Sequence, residues 1–366
     1  MPIITELKKN KNILVCPLDW GLGHATRMVP VIEMLNKFEV NVIIAADNGP
    51  LDFLSQRFPD NKCIKLSGFS PSYPTNSNMA LLMLKAFPEM LKAARRAKSD
   101  LNDIITKHDI NAVISDNRYE LSTSKVPTVF ITHQLNIQTK GWQKIGKPLI
   151  DFIINKYIGR FNEIWIPDVI SGFKLSGELS YSNKFNHNSF NIGLLSRFSE
   201  LTIKSNNKYI DLLIILSGPE PQRTILEKLL LKQVLKTNLK TVILLAKPGK
   251  YFEIKKKNIQ MYSHLPDHEF AGLLKSAKIV ISRPGYSTLM DLALFDKSAI
   301  FIPTPGQTEQ EYLANRLLTR KIAFCQSQEK FDLSTAIEKQ RGFKGLSLKN
   351  ESKLLKSRVE HLLNIC

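Results

Sequence analysis

KIVISRPGYSTLMDLALFDKSAIFIPTPGQTEQEYLANR, residues 278–316, reads as a strand, a glycine turn, a helix, a second strand and a second helix. KIVISR (278–283) and SAIFIPT (298–304) are apolar runs of strand length, and the stretches 287–294 and 310–319 read as helices. Strands and helices that alternate at this spacing form a parallel sheet with crossover connections. Working back from it, DLLIILSG (211–218), a helix over 222–235, TVILLAK (241–247), IQMYSHL (259–265) and a helix over 267–276 continue the same rhythm.

The first half repeats it. NILVCPL (12–18), a helix over 24–38, VNVIIAAD (40–47), a helix over 79–108, NAVISD (111–116), TVFITH (128–133) and EIWIPD (163–168) make a second set. The chain has 366 residues, too many for one ordinary core of about 150, so two domains are expected. The stretch 171–191, rich in Ser, Asn and Gly, reads as a surface connection between them, with the boundary near 195. The expected fold is α/β, with two doubly wound, Rossmann-like domains (1–195 and 196–366) facing a cleft.

Ligands in such sheets sit beyond the carboxyl ends of the strands, so the strand-to-helix loops are the candidate sites. PLDWGLGHATR (17–27) carries Gly21, Gly23 and His24 where the first helix begins. Its glycines permit a sharp turn and the helix N-terminus favours an anion, but Thr26 stands where a GxGxxG fingerprint needs its third glycine. At a helix start the dipole favours neutral His24, the form a general base needs; a bare cap is the other reading. Asp116 and His133 end strands on the same rim, where they would orient His24, bind a substrate or cap a helix. In the second half, Ser217 and Gly218 of LSGPEPQRT offer backbone to a diphosphate, and Arg223 either pairs with phosphate or lies solvated. RPGYSTLMD supplies Arg283, Gly285, Ser287, Thr288 and Asp291, a carboxylate able to accept both hydroxyls of a ribose. Glu309 and Gln310 pair an acceptor-only carboxylate with an amide, a device for reading sugar hydroxyls. His264, near the end of IQMYSHL, joins these donor-side candidates.

Composition narrows the class. A hydrophobic fraction of 43% with 23% charged residues excludes a disordered chain. No run approaches the roughly 18 apolar residues of a spanning helix, and no cleavage site follows a long apolar region, so a cytoplasmic protein without a signal peptide is expected. Cys16, Cys63, Cys325 and Cys366 are scattered, which suits free thiols and supports neither zinc nor a disulfide framework. A net charge of +18 attracts anions, but no basic segment carries the interleaved aromatics or helix-turn-helix pattern of a nucleic-acid surface. Residues 81–98 (with Lys85, Lys92, Arg95, Arg96 and Lys98) and 140–160 (with Trp142, Lys144, Lys147, Lys156 and Arg160) read either as a patch for anionic lipid or as ordinary amphipathic helices.

Taken together, the loops resemble those of GT-B glycosyltransferases related to MurG, a family 28-like group, in an uncharacterised bacterial branch marked by DWGLGHATR, SDNRYE and GPEPQRT. The resemblance runs over nearly the whole chain and is most specific at 278–316. It implies an N-terminal acceptor-side domain and a C-terminal donor domain binding a nucleotide sugar. Asp291 would take the ribose, Thr288 would lie near the diphosphate, Gln310 would read the sugar, and Arg197 of GLLSR (193–197) would be a diphosphate ligand. SGPEP differs from the group's GGS-type turn, Asp291 is shorter than its usual glutamate, Pro284 replaces a small residue, and its asparagine is displaced to Asn315. The chain lacks an Asp-x-Asp motif for a divalent cation, so transfer is expected to need no metal and no cofactor. The expected activity is inverting transfer of a sugar from a UDP-sugar, with His24 as base and Asp116 orienting it, to an acceptor hydroxyl that is lipid-linked in one version. A nucleotide-sugar 2-epimerase and a non-catalytic nucleotide-sugar-binding protein are the alternatives.

Overall fold

The computed structural model describes residues 11–69, 79–138, 143–202, 209–247, 251–349 and 351–366, with side chains from all of these except 79–87, 143–145 and 149. The described residues divide into two compact units: 11–69, 80–197 and 351–366 fall in the first, and those from 198 to 349 in the second.

In the first unit β1 (Asn12–Pro17), α1 (Leu22–Lys37), β2 (Asn41–Ala46), α2 (Asn48–Arg57) and β3 (Lys62–Lys65) are followed by α3 (Met79–Lys107) and β4 (Ile110–Asp116). Then come β5 (Thr128–Ile131), α4 (Gln143–Ile158), β6 (Glu163–Ile166) and β7 (Ser189–Asn191). The sheet is parallel, in the order β3-β2-β1-β4-β5-β6-β7. Its central strands are buried on both sides, which is why they read as unbroken apolar runs such as ILVC rather than as alternating patterns.

The second unit contains β8 (Ile210–Ile215), α5 (Gln222–Val234), β9 (Thr241–Leu244), β10 (Glu253–Lys256), β11 (Ile259–Tyr262), α6 (Asp267–Ser276), β12 (Ala277–Ser282) and α7 (Tyr286–Leu294). It ends with β13 (Ala299–Phe301), α8 (Thr308–Thr319), β14 (Phe324–Cys325) and α9 (Leu333–Gln340). Its sheet runs β10-β11-β9-β8-β12-β13-β14 and is parallel except for the β10–β11 hairpin. Leu212, Ile214, Leu226, Leu230, Ile243, Ile281 and Ile300 pack its core. The edge strand β10, EIKK, is exposed throughout, and its charges discourage pairing with another chain.

Two stretches differ from the sequence reading. Residues 171–191 are no surface connection: they fold into the first unit and end in β7, paired with β6. Asp168 explains this, because its buried carboxylate accepts from the amides of Val169, Leu175 and Ser176 and from Ser176 Oγ, while Leu175, Leu179 and Phe185 are buried. The last helix, α10 (Ser352–Ile365), packs in the first unit, burying Leu355, Val359, Leu362 and Leu363. Arg358 pairs with Glu163 and stacks over Phe190 at 3.8 Å, and Lys11 Nζ donates to Leu363 O at 2.9 Å.

Candidate active site

In the first sheet the strand order reverses at β1 and β4, so the crevice beyond their carboxyl ends is the position where doubly wound sheets take ligands. Gly21 caps α1 with φ 110° and ψ 172°, backbone that a side-chain-bearing residue rarely adopts, and this turn swings the helix start over the β1 end. His24 lies in the first turn of α1 and Arg27 three residues on, along the same face. Asp116 is the last residue of β4, in register with Pro17, and fully buried.

These residues form one chain of contacts. His24 Nδ1 stands 3.0 Å from Asp116 Oδ2. Arg27 Nε donates to both carboxylate oxygens at 2.9 Å, and its Nη2 also donates to Oδ1. Arg27 Nη1 lies 3.1 Å from His133 Nδ1; a guanidinium only donates, so that imidazole nitrogen accepts. Burial would push the Asp116 carboxyl up, but the Arg27 charge and the hydrogen bonds from Arg27 and His24 hold it below the usual carboxylate range. An ionised Asp116 can only accept, so His24 carries its proton on Nδ1 and keeps a lone pair on Nε2. Burial, and then the Arg27 cation, hold His24 below its ordinary pKa of 6.5. His24 is therefore neutral near pH 7. With a side chain 19% exposed, it is the member of the chain that a substrate can reach.

The second sheet reverses at β8 and β12. Gly218 turns the loop after β8 with φ 99°, backbone that a side-chain-bearing residue rarely adopts, near Thr304 of the loop after β13. Gln310 fastens that loop, its Oε1 accepting from Thr304 N at 2.9 Å, which leaves its NH₂ group for a ligand. Ser217, Gly285, Ser287, Thr288 and Glu309 are part-exposed along the loops and first helical turns, and Asp291 is buried one turn into α7. His264 stands apart, at the end of β11, which β9 separates from β8, with Nδ1 on Ser263 Oγ at 3.1 Å. Arg197 closes the first unit, part-buried.

Two basic residues depart from the sequence reading. Arg283 points inward, fully buried, and both of its terminal nitrogens donate within the protein, to Ile302 O, Pro303 O, Gln222 O and Gln328 Oε1. Arg223 does not lie solvated: it is buried, pairs with Glu220 and Glu227 and donates to Leu245 O.

Residues 212–359 match the glycosyltransferase family 28 C-terminal domain. The chain is a glycosyltransferase. Solved structures of like fold include SnogD from Streptomyces nogalater, 11% identical over 97% of this chain and 95% of that one, with TM-score 0.59. MurG from Acinetobacter baumannii is 12% identical, covering 97% of this chain and 99% of that one, with TM-score 0.56. UGT89C1 of Arabidopsis thaliana, complexed with UDP-L-rhamnose, is 12% identical, covering 97% and 94%, with TM-score 0.61. The two doubly wound units of the glycosyltransferase are thus those of the GT-B fold. No curated protein matches its sequence.

Sequence reasoning missed part of the glycosyltransferase's first rim. Arg27 stands in the quoted GLGHATR, and its spacing from His24 was the available signal. Asp19 and Arg118, both buried, form a second cluster with part-exposed Glu120. Asp19 Oδ1 accepts from Asp47 N at 3.0 Å, its Oδ2 lies 3.8 Å from Arg118 Nη1, and burial pushes its carboxyl up to about 6. Arg118 also donates to Leu66 O, Ser67 O and Glu120. No local pattern announces this cluster, because its members follow the ends of two strands, β1 and β4, that are about 100 residues apart in the chain. Among the described residues no group of three or more His, Cys, Asp or Glu side chains is placed to hold a metal ion, and no helix is long and apolar enough to cross a membrane.

Proposed function

We propose that the glycosyltransferase is an inverting, metal-independent enzyme that moves a hexose, N-acetylglucosamine among the candidates, from a UDP-sugar to an acceptor hydroxyl. The observation that carries this reading is the His24–Asp116 contact, which leaves a neutral imidazole with Nε2 as its basic nitrogen at the switch point of the first sheet. His24 Nε2 takes the acceptor's hydroxyl proton as that oxygen bonds to the anomeric carbon. The bond from that carbon to the diphosphate breaks, and its electron pair leaves on the diphosphate oxygen. Ser217, Gly218, Gly285, Ser287 and Thr288 would receive the departing charge at the N-termini of α5 and α7, where unpaired amides and the helix dipole favour an anion. Asp291 would accept from the ribose and Glu309 from a sugar hydroxyl, to which the Gln310 NH₂ would donate. Arg197 keeps only the donor-side role given by resemblance, His264 stays a donor-side candidate, and Gly21, Gly23 and His133 are assigned to the acceptor side.

The family 28 domain and the UDP-L-rhamnose of the Arabidopsis structure support a uridine nucleotide. Thermal-shift measurements with UDP-, GDP- and TDP-sugars test it: a UDP-sugar should raise the melting temperature most, because a ligand that binds only the folded state stabilises it. No shift with any of them would sink the reading. Turnover should also survive EDTA.

A lipid-linked acceptor and attachment to the inner face of the cell membrane belong to the same proposal. Lys92, Arg95, Arg96, Lys98, Lys156 and Arg160 are exposed, as are Ile150, Phe152 and Ile153 of α4. Lys98 and Arg160 line one groove with Lys125. Lys147 is instead held by Asn136 and Asp151, and the side chains of Lys85, Trp142 and Lys144 lie outside the described residues. Cations beside exposed apolar side chains suit an anionic bilayer. The protein should sediment with anionic vesicles at low salt and less at high salt; equal recovery with neutral vesicles would argue against it.

A further inference from the structure

Arg283 is a buried cation without a counter-ion. It is fully buried, and its partners are all neutral: Ile302 O and Pro303 O at 2.9 Å from Nη1, Gln222 O at 3.2 Å and Gln328 Oε1 at 2.5 Å from Nη2. Its Nε has no partner. Burial alone lowers the guanidinium pKa, to about 10, and no carboxylate among the described residues offsets it; at pH 7 it remains charged. An uncompensated charge in the interior is unfavourable unless something else balances it. The carbonyls it fastens belong to the first residue of α5 and to the end of the strand β13, both on the donor-side rim. Helices α5 and α7 also begin there, adding two more positive ends. Asp291, Glu309 and Glu220 also lie on this rim, yet none of them pairs with Arg283, whose charge is left unbalanced.

Resting on the functional reading above, we propose that Arg283 is a positioning residue whose fixed charge, acting from beneath the loops without touching the ligand, makes the second unit select a nucleoside diphosphate over the bare nucleoside. Gln328→Glu tests this with little change of shape. It puts a carboxylate where the amide oxygen now accepts from Arg283 Nη2, so that hydrogen bond is kept while the charge is cancelled. Calorimetric titration of the full chain with UDP and uridine, or with the pair for whichever base the sugar panel selects, reads the result. In Gln328→Glu the diphosphate should bind about tenfold more weakly or worse, the nucleoside should change less than about twofold, and the melting temperature should not fall. Diphosphate bound as tightly as by the wild type would overturn the inference while leaving the functional reading intact. Arg283→Lys keeps the charge but loses most of the fastened carbonyls, so it should melt earlier yet retain the wild-type preference for diphosphate. A preference that collapses in the lysine variant would assign the effect to loop geometry and also overturn the inference. Wild-type protein that binds no nucleoside diphosphate would end both readings.

Discussion

His24→Ala lowers kcat by roughly 100-fold or more while leaving donor affinity unchanged, if the imidazole takes the acceptor proton. The split between turnover and binding distinguishes a base from a residue that merely caps α1, whose loss would loosen the helix start and leave chemistry largely intact. The pH profile gives a second check. A base must be neutral to act, and burial with Arg27 holds His24 below 6.5, so the acid limb of kcat/KM should have its midpoint below that value. Asp116 is one of the groups that raise His24, so in Asp116→Asn any residual activity should persist to still lower pH. Unchanged kcat in His24→Ala would remove the imidazole from the mechanism.

Asp116→Asn should damage stability and activity together. Removing the carboxylate frees the His24 tautomer and should lower turnover by roughly 10²–10⁴-fold. It also leaves Arg27, itself buried, without its counter-ion, and breaking a buried pair from one side costs about 3–5 kcal/mol. The two effects can be separated. Adding Arg27→Met to Asp116→Asn removes the stranded cation, so the melting temperature should recover most of its loss while turnover stays low. Recovery of both would mean that Asp116 acts only by holding the fold; recovery of neither would mean that Arg27 is needed apart from Asp116.

The loops that line both rims could be named from the sequence because each follows a short apolar strand and carries Gly, Pro or a hydroxyl residue before a helical stretch. His24 and Asp116 could be placed on one rim by the same logic, since strand ends in a parallel sheet share an edge. What strand-end reasoning does not give is which side chains turn inward. Counted along the chain, Arg283 falls among the donor-side candidates and Arg223 on a helix start where it would pair with phosphate or lie solvated. Their side chains turn inward instead, because each guanidinium finds carbonyls or carboxylates beneath the loop before it can reach solvent. Asp19 and Arg118 meet only after β1 and β4 have been laid side by side. The run 171–191 failed for a related reason: its polar composition suits a loop, and its order comes from one buried carboxylate, Asp168, that collects its amides. The helix α10 was missed although Leu355, Val359, Leu362 and Leu363 show helical spacing.

That helix has a consequence for biosynthesis. Its apolar face fills the first unit, so the N-terminal half cannot complete its core as it leaves the ribosome. At about 5–20 residues per second, the interval between emergence of residue 197 and of α10 is roughly 10–30 s. During that time Glu163 and the apolar surface that receives Leu355 and Val359 wait uncovered, while the second unit, whose core residues are contiguous in the chain, is free to fold ahead of the half that was made first.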